Sequence, residues 1–159
     1  MSSRAQKGEG ANILWHYTVV NSLQKILADG AIRPSPLGAA KGQKGVVWFS
    51  LAEDWDPSAN RWWRSPEGTA KQLGKDQTIV LGSGLARIGV APGLATIDWK
   101  TYKEQSGAPP KVVRVVYDAA IKAGSRPSLW YATFASVPRS EWKAVEVWDD
   151  EIGWVAREF

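Results

Sequence analysis

The first clear pattern along the chain is an apolar run that changes period. Residues 12 to 17, NILWHY, read as a short strand, and the apolar positions then recur at helical spacing through Val19, Val20, Leu23, Ile26 and Leu27. Thr18 is placed to cap a helix over about 19–29, and Gly30 supplies its stop. Residues 34 to 45, PSPLGAAKGQKG, break the pattern with proline, glycine and lysine, which predicts a surface loop.

GVVWFS (45–50) reads as a buried strand ending at Ser50, and the tryptophan-rich stretch after it predicts a short helix around Trp55 to Trp63. TIVLGSGLARIGVA (78–91) suggests strands broken at the glycines, and 95–105 continues as strand or short helix. KVVRVVYDAAIKA (111–123) is valine-rich, yet Val112, Val113, Val116, Ala119, Ala120 and Ala123 share one helical face, so a helix ending at Gly124 is favoured. LWYATFASVP and EWKAVEVW follow as strands, DDEIG as a turn and WVAREF as a last strand. Strands and helices mixed without regular alternation predict an α+β fold with a largely antiparallel or split sheet. We take residues 1–11 as a flexible tail and 12–159 as a single domain.

Composition narrows the chemistry more than the fold. No stretch approaches the roughly 20 apolar residues that span a bilayer, and MSSRAQKGEG lacks the apolar segment of a secretory signal, so a cytoplasmic protein without a membrane partner is expected. There is no cysteine and only one histidine, which removes thiolate catalysis and sulfur-based zinc sites. DWDPSAN lacks the glycine and terminal glutamate of a calcium loop, and no metal is expected. The net charge of +4 is compatible with phosphate contacts, and ten tryptophans suggest a flat ligand or an interface.

Familiar catalytic spacings are missing. LGSGL around Ser83 is not a nucleophile elbow, and PSPLGAAKGQKG does not have phosphate-loop spacing. A glycosidase-like carboxylate pair drawn from Glu53, Asp54, Asp56, Glu141 or Glu146 is an unspecific signal, because separation in space decides that chemistry.

The opening segment is more informative. In WHYTVVNSLQKILADGAI a histidine ends a strand, a hydroxyl residue follows two positions later, and an amphipathic helix then closes on glycine. This arrangement resembles the first motif of the ADP-ribosyltransferase superfamily, and in particular that of DarT-type nucleic-acid ADP-ribosyltransferases. The RNA 2'-phosphotransferases and rifamycin-modifying transferases share the histidine and threonine with a glycine between them, where this chain has Tyr17. The likeness is close over residues 14–33 and elsewhere extends only to the order of elements.

The resemblance implies a split-sheet α+β domain with a few peripheral helices, and NAD as substrate. It implies that His16 and Thr18 orient NAD, that Ser50 lies at the end of a second strand, and that Tyr17, Trp55, Trp62 or Trp63 stacks on nicotinamide. A late strand would supply the catalytic carboxylate, Glu146 or Glu141. Such a carboxylate stabilises the positive charge that develops on the ribose as nicotinamide leaves. The implied activity is mono-ADP-ribosyl transfer to a nucleic-acid or protein acceptor, in a toxin or defence setting. Arg33, Lys41, Lys44, Arg61 and Arg64 are the cations nearest this site in sequence. The alternative is a non-catalytic module of the same fold that captures a nucleotide, a nucleic acid or a protein. Each residue also has a plain structural reading: His16 as a core side chain, Thr18 as a helix cap, Ser50 as a strand-end hydroxyl, and Glu146 as an outward-facing strand residue.

Overall fold

The computed structural model describes residues 13–37 and 41–159. The expected tail, residues 1–11, and Asn12 at the start of the first expected strand lie outside the described residues. The chain forms β1 (Leu14–Val19), α1 (Val20–Asp29), β2 (Ala31–Ile32), β3 (Val47–Ser50), β4 (Trp62–Arg64) and β5 (Ala70–Gln72). It continues with α2 (Lys75–Gly82), β6 (Leu85–Val90), α3 (Trp99–Gln105) and α4 (Pro110–Ala123). The last elements are β7 (Trp130–Thr133), β8 (Val137–Pro138), β9 (Trp142–Asp149) and β10 (Gly153–Ala156). The fold is α+β, built on a six-stranded antiparallel sheet of order β10-β9-β6-β1-β3-β7, with two further two-stranded pairs, β2 with β8 from distant parts of the chain and the hairpin of β4 with β5.

Each face of the sheet carries its own core. On one face α1 lays Leu23, Ile26 and Leu27 over Leu14, Phe49, Ile88 and Val145. On the other, α3 and α4 close Trp99, Tyr102 and Ala120 over Val46, Trp48, Trp130 and Ala132. The expected inward face of α4 is realised by Val113, Val116 and Ala120, and Gly124 ends the helix at φ 95°. Because both faces are covered, β6 is buried along its whole length. Two glycines are required by close approach. A Cβ on Gly82 would meet the Val19 side chain at 2.2 Å, and one on Gly89 would meet the Trp15 ring at 2.8 Å.

Three local expectations are corrected, and a fourth that was open is decided. Thr18 does not cap α1: β1 runs on through Val19, which takes the cap position without a side-chain hydrogen bond, while the Val20 N–H is taken by the Gly84 carbonyl. The stretch from Trp55 to Trp63 is not a helix. Pro57–Ala59 makes a single 3-10 turn started by Asp56, and Trp62 and Trp63 begin a hairpin closed through SPEG, with Gly68 at φ 88°. Residues 75 to 82 form a helix rather than a strand, and only from Leu85 does the strand begin. Within 95–105, left open between strand and helix, Trp99–Gln105 is helical, capped by the Asp98 carboxylate accepting from the Thr101 N–H. No helix among the described residues is long and apolar enough to cross a membrane.

Candidate functional site

The two flanks of β1 differ. Toward β6 it pairs at every residue, from Leu14 with Val90 to Val19 with Leu85. Toward β3 the register holds only Trp15 opposite Ser50, so the sheet splays beyond that point. His16 sits in the splay. Its Nδ1–H donates to the Trp48 carbonyl at 2.8 Å, and its ring meets Phe49 edge-on at 5.8 Å. Since the partner is a carbonyl, Nδ1 carries the proton. Burial pushes the His16 pKa below its ordinary value of 6.5, against the opposing pull of the Trp48 hydrogen bond, so the ring is neutral near pH 7. Nε2 is then a bare acceptor.

His16 lines two cavities. One, of about 210 Å³, is walled by Trp48, Trp99, Trp130 and Tyr17, with Ser50 and Asp56 also on its surface. The other, of about 410 Å³, runs between α1 and the segment after β2; Thr18, Ser22 and Ser35 offer hydroxyls there, and Lys25 and Arg33 offer cations. His16, Leu37 and Trp48 are the wall they share. Within the polar groove Arg33 pairs with Asp29 at 3.2 Å, and Ser22 Oγ accepts from Arg61 at 2.6 Å.

Side chains alternate along β1, which puts Trp15 and Tyr17 on one face and aims His16 and Thr18 at the other. Tyr17 lies opposite Arg87, and Arg87 opposite Glu146, so these three share a face that His16 does not. Glu146 Oε1 accepts from Arg87 Nε at 2.7 Å and from Nη2 at 2.6 Å. The guanidinium is itself sandwiched, 3.8 Å from the Trp15 ring and 4.4 Å from that of Trp154, and Nη1 donates to the Glu53 carbonyl at 2.6 Å. Glu146 is thus the counter-charge of a nearly buried arginine. The structure does not bring it together with His16. Glu141 is also elsewhere, exposed in a short turn before β9.

The remaining candidates divide in the same way. Tyr17 donates its hydroxyl to the Ala52 carbonyl; burial pushes the phenol up to about 12, partly countered by Arg87, so it stays protonated. Ser50 is buried, and its Oγ accepts from the Ala52 N–H at 3.0 Å, the strand-end role. Trp55 lies outside the aromatic cavity: its ring meets Tyr17 edge-on at 5.3 Å and its Nε1–H donates to Asn60. Trp62 and Trp63 are exposed on the β4–β5 hairpin, away from His16. The tryptophans that wall the cavity are instead Trp15, Trp48, Trp99 and Trp130, none of them a stacking candidate from the sequence. Of the basic residues, Lys44 lies over the Phe134 ring and Arg64 donates to the Gly68 carbonyl.

Arg87, missed from sequence, and Asp56, named there only as one of several carboxylates, organise this region. Arg87 is the lone charge in LARIGV, and a charge inside an otherwise apolar strand is a signal that it has a buried partner. Asp56 accepts from the Ser58 N–H (2.9 Å), Ser125 Oγ (2.5 Å) and Trp130 Nε1 (3.0 Å), which ties the loop after β3 to β7. Both oxygens of its carboxylate are engaged. No group of residues that would hold a metal ion occurs among the described residues. No protein-family model, curated protein or solved structure matches this chain.

Proposed function

We propose that this protein is an NAD-binding module that holds the dinucleotide across the splay between β1 and β3. The observation that carries the reading is His16, neutral and with Nε2 open, as the common wall of an aromatic cavity and a hydroxyl- and cation-lined groove. At about 210 Å³ the aromatic cavity is smaller than the roughly 300–1,000 Å³ of a complete small-molecule site, so it suits one part of a ligand. A planar heterocycle fits walls of tryptophan and tyrosine, where offset or edge contacts between rings are favourable. The adjoining groove suits the sugar and phosphate portion, with Thr18 and Ser35 as hydroxyl partners and Lys25 as counter-charge. His16 Nε2 then accepts from a ribose hydroxyl at the junction.

Ligand capture is favoured over ADP-ribosyl transfer because neither carboxylate lining these cavities is free: Asp56 makes three hydrogen bonds and Asp29 is paired with Arg33. Glu146 is committed to Arg87. An acceptor, nucleic acid or protein, is not required by this reading.

Calorimetric titration with NAD, ADP-ribose and nicotinamide tests it. NAD should bind, its affinity should fall about 10-fold in His16→Ala, corresponding to the loss of one good hydrogen bond, and nicotinamide release should stay at background. Absence of NAD binding and of any NAD-induced thermal stabilisation overturns the proposal. Nicotinamide release that disappears in His16→Ala but survives Glu146→Gln replaces binding with transfer and assigns the catalysis to another carboxylate.

A further inference from the structure

The hairpin of β4 and β5 carries an unusual pair of residues. Each of the other tryptophans makes a ring contact, a cation–π contact or an indole N–H hydrogen bond within the chain, among them Trp55 with Tyr17, Trp142 with the Val137 carbonyl and Trp148 with Asp150. Trp62 and Trp63 make none among the described residues, and they are 39% and 52% exposed. Leaving such rings open to water is unfavourable, and an adjacent exposed pair without internal partners fits an interface anchor.

Adjacent strand residues point to opposite faces of the hairpin, so the two rings serve different surfaces. Trp62 overhangs a groove of about 670 Å³ between the hairpin and α4, whose apolar walls include Leu73, Val115 and Ala119. Lys71, Lys75 and Lys122 line the same groove, and no carboxylate does. Lys75 leans over the Trp148 ring at 5.5 Å, whereas Lys71 and Lys122 have no ion pair among the described residues. On the other side of the hairpin Trp63 adjoins Val80 and Leu81 of α2, which are 79% and 60% exposed.

We propose that the groove between the β4–β5 hairpin and α4 docks an acidic, amphipathic polypeptide segment of a partner protein. Its apolar side chains fill the space beside Trp62, and its carboxylates meet the three lysines. Charge complementarity chooses an anionic occupant, and Leu73, Val115, Ala119 and Ala123, which line the groove together with Trp55 and Trp62, favour a polypeptide because they take up aliphatic side chains better than base faces. The groove is separate from the His16 cavities, so the proposal stands or falls independently of NAD.

The test uses a fluorescein-labelled amphipathic helical peptide with leucine on one face and glutamate on the other, and its lysine-substituted counterpart, followed by anisotropy on the full chain. The acidic peptide should bind, with affinity about 10-fold lower in Trp62→Ala, as for an aromatic anchor, and lower in Lys71→Glu/Lys122→Glu. Circular dichroism melts of these surface variants should match the parent. Equal binding of the lysine peptide, no binding of the acidic one, or indifference to Trp62→Ala overturns the proposal. So does tighter binding of oligothymidylate or of phosphatidylglycerol vesicles, and so does self-association in sedimentation that vanishes in Trp62→Ala and shows the groove to be filled by a second copy.

Discussion

Along its β6 flank β1 is paired residue by residue, and the polar side chains on that side are consumed: Arg87 is divided among Glu146, Glu53 and two indole rings, and Tyr17 is tied to Ala52. Along its β3 flank one register pair remains, and His16 substitutes a side-chain hydrogen bond for the missing ladder while keeping one nitrogen open. Both flanks hold the residue types of a site: histidine or arginine, carboxylate, tyrosine, tryptophan. The difference shows that chemistry-bearing residues define a site only where the fold leaves their valences unfilled.

The largest effect expected from breaking this contrast is on the closed flank. Glu146→Gln leaves a nearly buried guanidinium without its counter-charge, and urea unfolding should show a loss of about 3 kcal/mol, the lower end for a buried pair because Glu146 keeps some solvent contact. NAD affinity should be unchanged. Gly89→Ala comes next: the added methyl pushes into the Trp15 ring and disturbs the sandwich around Arg87, at a cost of about 2 kcal/mol measured the same way. Tyr17→Phe removes the hydrogen bond to Ala52 and should cost about 1 kcal/mol.

On the open flank the signature is pH dependence. The folded-state pKa of His16 lies below its ordinary 6.5, so the unfolded chain binds the proton more readily. Stability from this residue is therefore complete above about pH 6.5 and is lost as pH falls from there toward the folded value. Thermal melts across that range should show the decline in the parent and a flatter profile in His16→Gln. The smallest effect belongs to the hairpin: Trp63→Ala should alter stability by no more than about 0.5 kcal/mol, as for an exposed side chain without internal partners.

Much of the frame was legible in the sequence. The unit of β1, α1 and Gly30, the strand ending at Ser50, and α4 with its Gly124 stop all follow from period and terminator residues, which are local signals. The α2 segment was misread because Ile79, Val80 and Leu81 look like a buried strand, whereas tertiary packing leaves two of them in solvent. The hairpin was misread because Trp62 and Trp63 break apolar alternation, and SPEG was the turn signal that outweighed it. For the site, the sequence pointed to His16 but joined it to Glu146. Which face a strand residue takes depends on register with strands some 60 and 130 positions away, and nothing local encodes it.

The end of α1 shows which distant part of the chain the cleft depends on. The Leu27 carbonyl accepts from the Arg139 guanidinium, the Gly30 carbonyl accepts from the Arg139 N–H at 2.9 Å, and Ile32 pairs with Val137. One wall of the polar groove is therefore fastened by residues more than a hundred positions later in the chain. Contacts of such separation cannot form until the later segment is present to make them. During synthesis the β1–α1 unit emerges early with its apolar face waiting, and the cavity beside His16 takes its shape only once the strands after α4 have joined the sheet.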